Sequence, residues 1–234
     1  MPEQGRGLGE SFFGKPRGEP DKPMLEALLV LFAFYLAAYI STGGPGIQVA
    51  KPAFQLGALA LNVTRAIFAL YLMATSDGLP SFGIRRPKRR DAAKGLLCAL
   101  AAFALVLATG IALSSFGLEN PLFAQVRSAP RASLGLIPLF LASSMSTGYC
   151  EELFFRSYLM RRLGQAGLPP LWAALASSLL FAAGHGYQGA VGLIAGFILG
   201  LFFAWRWNAG AAIHEIAIGH GLFDACAFAI LLYS

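Results

Sequence analysis

The stretch CEELFFR, residues 150–156, lies near the end of a long apolar run that begins at about residue 133. It places two adjacent carboxylates, Glu151 and Glu152, and the guanidinium of Arg156 among hydrophobic side chains. One ionised side chain at the centre of a bilayer costs at least about 2.5–3.5 kcal/mol. We therefore expect these three groups to pair with each other, to face a wet cavity, or to take part in a reaction.

The composition around this stretch is that of a membrane protein. Of the 234 residues, 56% are hydrophobic and 13% are charged, and the mean hydropathy is +0.62. An average soluble domain carries about 25% charged residues. The net charge of +6 does not indicate nucleic-acid binding, because the basic residues cluster at the ends of apolar runs. We expect a multi-pass protein embedded in the lipid bilayer.

Seven apolar runs are candidates for membrane-spanning helices, which need about 20 residues each. They lie at residues 24–41, 53–75, 95–117, 133–160, 169–185, 188–206 and 209–232. The predicted fold is an all-α transmembrane bundle of about seven helices, with a range of six to eight, since a kink near Gly219 or Gly221 could divide the last run. Residues 24–234 are predicted to form one membrane domain after a flexible tail, residues 1–23.

Basic residues between the second and third runs set the expected orientation. They are Arg85, Arg86, Lys88, Arg89, Arg90 and Lys94. The positive-inside rule places such a loop in the cytoplasm. With seven spans, the N-terminus is then expected to be cytoplasmic as well. A ridge of small residues in the sixth run, Gly192, Gly196 and Gly200, is predicted to serve close helix packing in lipid.

Ionisable residues inside the predicted spans concentrate in the fourth, fifth and seventh runs. They are Glu151, Glu152, Arg156, His185, His214, Glu215, His220 and Asp224. Because intramembrane ionisable groups usually mark a functional site, one shared site is expected. Glu152 and Arg156 are four apart and lie on one helix face, whereas Glu151 is turned by about 100°. One carboxylate can therefore face a cavity while Arg156 holds the other.

A carboxylate with two imidazoles supports two kinds of hydrolysis. A glutamate can activate water directly as a general base, or the three side chains can hold a metal ion that acidifies the water. Glu with two His is a known zinc-ligand set. Spacing alone leaves both mechanisms open. The zincin motif is excluded, because it needs two histidines four apart, whereas His214-Glu215 is followed by His220. We expect His214 and Glu215 to be membrane-interface residues.

Three motifs, in order, resemble those of the CPBP family of membrane proteins. They are Glu151-Glu152-x-x-x-Arg156, Phe181-x-x-x-His185 and His220-x-x-x-Asp224. That family comprises the type II CAAX prenyl proteases (Ras-converting enzymes) and the bacterial bacteriocin-processing and immunity proteins. The resemblance covers about residues 133–232, the expected catalytic core.

The resemblance implies roles for the motif residues. Glu151 would activate the water, and His185 and His220 would bind or polarise it. Glu152 with Arg156 would support Glu151, and Phe181 would form a cavity wall. The last position is often Asn in the family and is proposed there to stabilise the oxyanion. Here it is Asp224, which is either protonated, orients His220 or binds metal, because an ionised Asp cannot donate a hydrogen bond.

The function implied by the resemblance is that of an intramembrane endopeptidase acting on a peptide or protein substrate in a bacterial-type inner (plasma) membrane. If the reaction uses a divalent metal such as zinc, the resemblance makes Glu151, His185 and His220 its ligands. The alternative is a non-proteolytic membrane scaffold or bacteriocin-immunity protein that keeps the same bundle. A CAAX substrate is implied by only one branch of the family.

Helix arithmetic predicts a conflict within this site. If the fourth run is a straight helix from residue 133, Glu151 lies about 27 Å along it, towards the cytoplasmic side. If the fifth starts at residue 169, His185 lies about 24 Å along it in the opposite direction. We therefore expect the fourth helix to start later, to bend or to lie partly along the interface, or the fifth to start deeper.

Overall fold

The structure is a computed structural model and describes residues 21–32, 50–122 and 133–233. Its α-helices are α1 (Asp21–Val30), α2 (Pro52–Thr75), α3 (Arg89–Ser115), α4 (Ile137–Glu152), α5 (Met160–Gln165), α6 (Pro170–Ala183), α7 (Gly189–Asn208) and α8 (Ile213–Tyr233). A π-helix, Leu153–Leu159, joins α4 to α5 without a break, and we refer to these three elements as the rod. No strand occurs in the described ranges. The predicted all-α bundle of about seven helices is confirmed.

Four helical segments are long and apolar enough to cross a membrane. They are Pro52–Thr75, Arg89–Ser115, Gly186–Asn208 and Ile213–Leu231. Large apolar side chains on them, such as Ile67 on α2 and Leu97 on α3, are exposed in the isolated chain, as expected for surfaces that meet lipid. Helix α6 is apolar but shorter. The protein is therefore an integral membrane protein, and its orientation stays a prediction.

The N-terminal predictions fall partly outside the described residues, because residues 1–20, 33–49 and 123–132 are not among them. Most of the predicted tail and the second half of the first span lie there. Within the described part, α1 comprises Asp21–Val30, so residues 21–23 are helical, and the flexible tail before them stays a prediction.

Helix α3 begins six residues before the predicted third span. Its first turn contains Asp91, whose Oδ2 accepts a hydrogen bond from the backbone N–H of Lys88 at 2.7 Å. Arg85 donates to both carboxylate oxygens of Asp91, at 2.8 and 2.6 Å. The predicted boundary marked where the apolar sequence begins, whereas the helix itself is started by this polar cap.

The rod is longer than the predicted fourth span and begins later. It starts at Ile137 instead of residue 133 and ends at Gln165 instead of residue 160. Gly167, at a φ of 95°, ends it in a conformation that glycine adopts readily. Helix α6 then runs back along the rod. The two are in contact at Ser177, whose hydroxyl donates to the carbonyl of Phe155 at 2.9 Å.

Helix α8 is continuous from Ile213 to Tyr233, so the last run is not divided near Gly219 or Gly221. Both glycines instead allow close packing. A methyl group on Gly219 would lie 2.8 Å from Cβ of Cys98 on α3. One on Gly148 of α4 would lie 2.5 Å from the backbone nitrogen of Gly221. Small residues on both sides therefore let α8 approach α3 and α4 at backbone distance.

The glycine ridge of α7 packs as predicted, against α6 and the turn that follows it. A methyl group on Gly196 would lie 3.3 Å from Cβ of His185. One on Gly200 would lie 3.1 Å from Cβ of Ser178. The ridge thus holds the end of α6, with His185 beside it, close to the bundle interior.

Candidate functional site

The two adjacent glutamates of α4 have different environments, as the helical spacing predicted. Glu152 is fully buried, whereas the side chain of Glu151 is 15% exposed. Oε2 of Glu151 lies 3.8 Å from Nε2 of His220. Among the described residues, this oxygen has no hydrogen-bond partner. Oε2 of Glu152, by contrast, lies 3.1 Å from Nε of Arg156, so Glu151 is the carboxylate whose Oε2 is not committed to a cation of its own helix.

Glu152 and Arg156 form the predicted ion pair, with Nε of Arg156 3.1 Å from Oε2 of Glu152. Both side chains are fully buried. Nη2 of Arg156 also donates to the carbonyl of Gly200 at 3.0 Å, and the guanidinium centre lies 4.8 Å from the ring centroid of Phe181. A buried ion pair is tolerated when such additional partners offset the loss of water.

His220 lies between three carboxylates. Its Nδ1 is 2.8 Å from Oε1 of Glu152, and because a carboxylate only accepts, Nδ1–H is the donor. Nε2 is 3.8 Å from Oε2 of Glu151 and 3.7 Å from Oδ2 of Asp224. The imidazole stacks on Phe203, with ring centroids 5.1 Å apart. Glu152 thus fixes the ring so that Nε2 points at the two more exposed carboxylates.

Asp224 lies one turn after His220 on α8 and is 20% exposed. Its Oδ2 is too far from Nε2 of His220 for a direct hydrogen bond. Asp224 therefore does not orient the imidazole by direct contact. Its carboxylate instead faces the same space as that of Glu151.

His185 follows the last residues of α6, and its Nδ1–H donates to the carbonyl of Phe181 at 3.0 Å. The ring centroids of His185 and Phe181 are 4.7 Å apart, and Phe181 in turn lies 5.7 Å from the ring of His220. Phe181 therefore packs against both histidines, and its role as a cavity wall stays a prediction. With Nδ1 engaged, Nε2 of His185 is the nitrogen available for a ligand.

The hairpin of the rod and α6 removes the predicted conflict between Glu151 and His185. At 1.5 Å per residue, Glu151 lies roughly 24 Å before Gly167 along the rod, and His185 lies roughly 27 Å after it. The two residues therefore lie at a similar level on neighbouring antiparallel elements. The conflict arose because the predicted span ended at residue 160, five residues before the rod does.

The motifs missed two polar residues near the site. The ring of Tyr187 stacks on that of His185 at 6.5 Å, and its hydroxyl accepts a hydrogen bond from Gln188 at 2.9 Å. Arg65 of α2 is close enough for its charge to act on Glu151. Its position in the middle of an apolar run was the only sequence signal for it.

His214 and Glu215 lie outside this cluster, at the start of α8. Nε2–H of His214 donates to the carbonyl of Arg85 at 2.7 Å. Glu215 is almost fully buried and forms ion pairs with Arg206 and, at 3.8 Å, with Lys94. The expectation of two residues at the membrane interface was incomplete, because these side chains also link α8 to α3 and α7.

The side chains around Glu151 offer nitrogen and carboxylate oxygen atoms, the donor types that zinc accepts. Among the described residues, however, no group of three or more His, Cys, Asp or Glu side chains is arranged to hold a metal ion. Nδ1 of His220 and Nδ1 of His185 are engaged by protein partners, so Nε2 is the nitrogen of each ring that would bind a metal. The metal centre stays a prediction, and we derive the chemistry from the side chains.

Comparison with known families agrees with the motifs. Residues 133–226 match the family model described as type II CAAX prenyl endopeptidase Rce1-like. This range begins just before the rod and includes every residue of the three motifs. No curated protein and no solved structure matches the chain. The predicted resemblance is therefore confirmed for this part of the protein.

Proposed function

We propose that the protein cleaves a peptide bond inside the membrane with Glu151 as the general base. Membership of residues 133–226 in the Rce1-like family of type II CAAX prenyl endopeptidases supports this proposal. The observation that carries this proposal is that the two adjacent glutamates have different partners. Glu152 is committed to Arg156 and His220, while Oε2 of Glu151 keeps a free acceptor position beside Nε2 of His220.

The proposed reaction starts with a water molecule between Glu151 and Nε2 of His185. Glu151 removes a proton from this water, and the resulting hydroxide forms a C–O bond with the scissile carbonyl carbon. The tetrahedral intermediate then collapses, the C–N bond breaks, and Glu151 delivers its proton to the leaving amine. The carboxylic acid product then loses its own proton to become a carboxylate, and Glu151, which is again ionised, is ready for another cycle.

The negative oxygen of the intermediate needs a hydrogen-bond donor. We assign this role to Nε2–H of His220 in its imidazolium form. A neutral ring with its proton on Nδ1 would present an acceptor to the acceptors Glu151 and Asp224, whereas an imidazolium presents a proton. Asp224, in the position where the family often has Asn, then acts by its charge beside His220 rather than as a donor.

The proposed mechanism is of the glutamate type, and no step passes through a metal ion. The substrate class is a peptide or protein that reaches the cavity from the bilayer. We also propose the orientation implied by the basic loop before α3, with that loop and the N-terminus in the cytoplasm of a bacterial-type cell.

The test is cleavage by purified protein in nanodiscs. A quenched fluorescent peptide with a farnesylated CAAX end and the same peptide without the lipid are suitable first substrates, since the family name specifies that chemistry. We expect Glu151→Gln to lower kcat by about 10²–10⁴, the usual contribution of a general base. Glu119→Gln, the same change at an exposed residue, is the control and should cleave normally.

Full cleavage by Glu151→Gln would refute the assignment of the base. The scaffold alternative keeps some support from Asp224, which departs from the family pattern. It predicts that Glu151→Gln retains biological activity in cells and that neither peptide is cleaved by the wild-type protein.

A further inference from the structure

A cavity of about 240 Å³ lies between the N-terminal ends of α3 and α8, separate from the cluster around Glu151. Its polar and aromatic lining residues are Arg85, Arg90, Asp91, Lys94, Trp207 and Glu215. None of these residues has a place in the proposed reaction. The cavity lies beside the basic loop that is expected to be at the level of the lipid headgroups.

Both acidic residues of this cavity are neutralised by the protein. Asp91 receives two hydrogen bonds from Arg85 and one from the backbone of Lys88. Glu215 is paired with Arg206 and with Lys94. The carboxylates therefore do not make the cavity a site for cations.

The basic residues leave an excess of positive charge. Arg85, Arg90 and Lys94 face two lining carboxylates, and Arg206 adds a further cation next to Glu215. Arg90 is exposed and makes no hydrogen bond or ion pair with any residue in the described ranges. The cavity therefore has a guanidinium at its wall that is available to an anion.

Two long helices direct their N-terminal ends at the same space. The lining residues Arg90 and Asp91 belong to the first turn of α3, and Ala211 and Ala212 immediately precede α8. Helix N-termini carry partial positive charge and free N–H groups, which favour phosphate. The two helix N-termini therefore add to the positive charge that the arginine and lysine side chains already give the cavity.

The surface next to the cavity is apolar. One turn beyond Lys94, α3 presents Leu96, Leu97 and Leu100 outward, and each is more than half exposed in the isolated chain. In a membrane this face meets acyl chains. A positively charged cavity therefore lies next to an apolar face. This combination is complementary to a phospholipid, which carries a negatively charged phosphate and hydrocarbon chains.

We propose that this cavity is a binding site for the phosphate headgroup of an anionic phospholipid whose acyl chains lie along α3. Arg90 binds the phosphate, Lys94 adds a second positive charge from its position 3.8 Å from Glu215, and Arg85 and Arg206 pair with Asp91 and Glu215. Because Glu215 lies on the first turns of α8, a bound lipid also stabilises the N-terminal end of this helix, which carries His220.

The test is lipid binding by the full chain in detergent, measured by native mass spectrometry and by thermal shift with added phosphatidylglycerol or phosphatidylcholine. We expect phosphatidylglycerol to bind and to raise the unfolding temperature, and phosphatidylcholine to do neither. Arg90→Ala should weaken phosphatidylglycerol binding about tenfold or more, as for loss of a charged hydrogen-bond donor. Arg89→Ala, the same change at a neighbour outside the cavity, should cost no more than about fivefold.

Several outcomes separate this site from general surface attraction. Equal losses for Arg89→Ala and Arg90→Ala, or equal binding of the two lipids, would overturn the proposal. Retention of binding by Arg90→Lys would support it and would show that the variant protein folds. Competition by inorganic phosphate would support the headgroup contact, while a lack of competition together with the Arg90 effect would show that the acyl chains are also needed.

Discussion

Nδ1 of His220 lies 2.8 Å from Oε1 of Glu152, so the second glutamate of the pair orients the imidazole that faces the first. The same carboxylate holds the buried guanidinium of Arg156. Glu152 therefore connects α8 to the π-helix, and its two neighbours depend on its negative charge.

This dependence predicts a difference in stability between two adjacent, identical substitutions. Glu152→Gln removes the counter-ion of a buried arginine and should destabilise the protein by about 3–5 kcal/mol. Glu151→Gln keeps the Glu152–Arg156 pair and should cost far less. The comparison needs the free energy of unfolding in detergent, from thermal or denaturant unfolding. Equal losses would contradict the ion-pair role, and part of the loss should be recovered by adding Arg156→Met to Glu152→Gln.

Histidines six residues apart on α8 should differ in their effect on catalysis. His220→Ala removes the proposed donor to the oxyanion and should lower kcat by about 10²–10³ with little change in KM. His214→Ala removes contacts with Arg85 and Tyr149 at the start of the helix and should leave kcat within a few-fold. Steady-state cleavage of the peptide used for Glu151→Gln gives both values. A larger loss for His214→Ala would place the reacting groups elsewhere.

Packing between α4 and α8 should be intolerant of one methyl group. In Gly148→Ala the new Cβ would lie 2.5 Å from the nitrogen of Gly221 and 2.6 Å from the carbonyl oxygen of Ala217. We expect a loss of about 1–3 kcal/mol in unfolding free energy and weaker cleavage, because α8 carries His220. Gly110→Ala on α3 meets nothing within 4 Å and should stabilise the helix by about 0.5–1 kcal/mol. Similar effects of the two variants would show that the close approach is absent in solution.

A mechanism that uses side chains alone should be insensitive to metal removal. We expect full cleavage after treatment with EDTA and 1,10-phenanthroline, followed by dialysis against metal-free buffer. Elemental analysis of the purified protein provides an independent readout. Loss of cleavage that is restored by added zinc would contradict the glutamate mechanism and favour Glu151, His185 and His220 as ligands.

The sequence was most informative where the relevant geometry is local. The pairing of Glu152 with Arg156 follows from four-residue spacing on a helix, and the different exposure of Glu151 follows from its 100° offset. Contact between Glu152 and His220 joins residues that are 68 positions apart in the sequence. It depends on the close approach of α4 and α8 at their glycines. The pattern of apolar residues contains no signal for that contact.

Helix ends were the main source of error, for a physical reason. Hydropathy reports where a chain becomes apolar, whereas a helix ends where its backbone hydrogen bonds end. The start of α3 is set by Asp91, and the end of the rod is set by Gly167. Both lie outside the apolar runs, so the predicted segments missed them. The error of five residues at the end of the rod was enough to separate Glu151 from His185 in the predicted arrangement.

The turn at Gly167 also constrains the lengths of the two chain segments that connect it to Glu151 and to His185. Glu151 and His185 reach the same level because the chain segments on either side of that turn are nearly equal in length. One inserted or deleted residue between them would shift the register by 1.5 Å and rotate one partner by about 100°. In this hairpin, therefore, the number of residues is more tightly constrained than the identity of most of them.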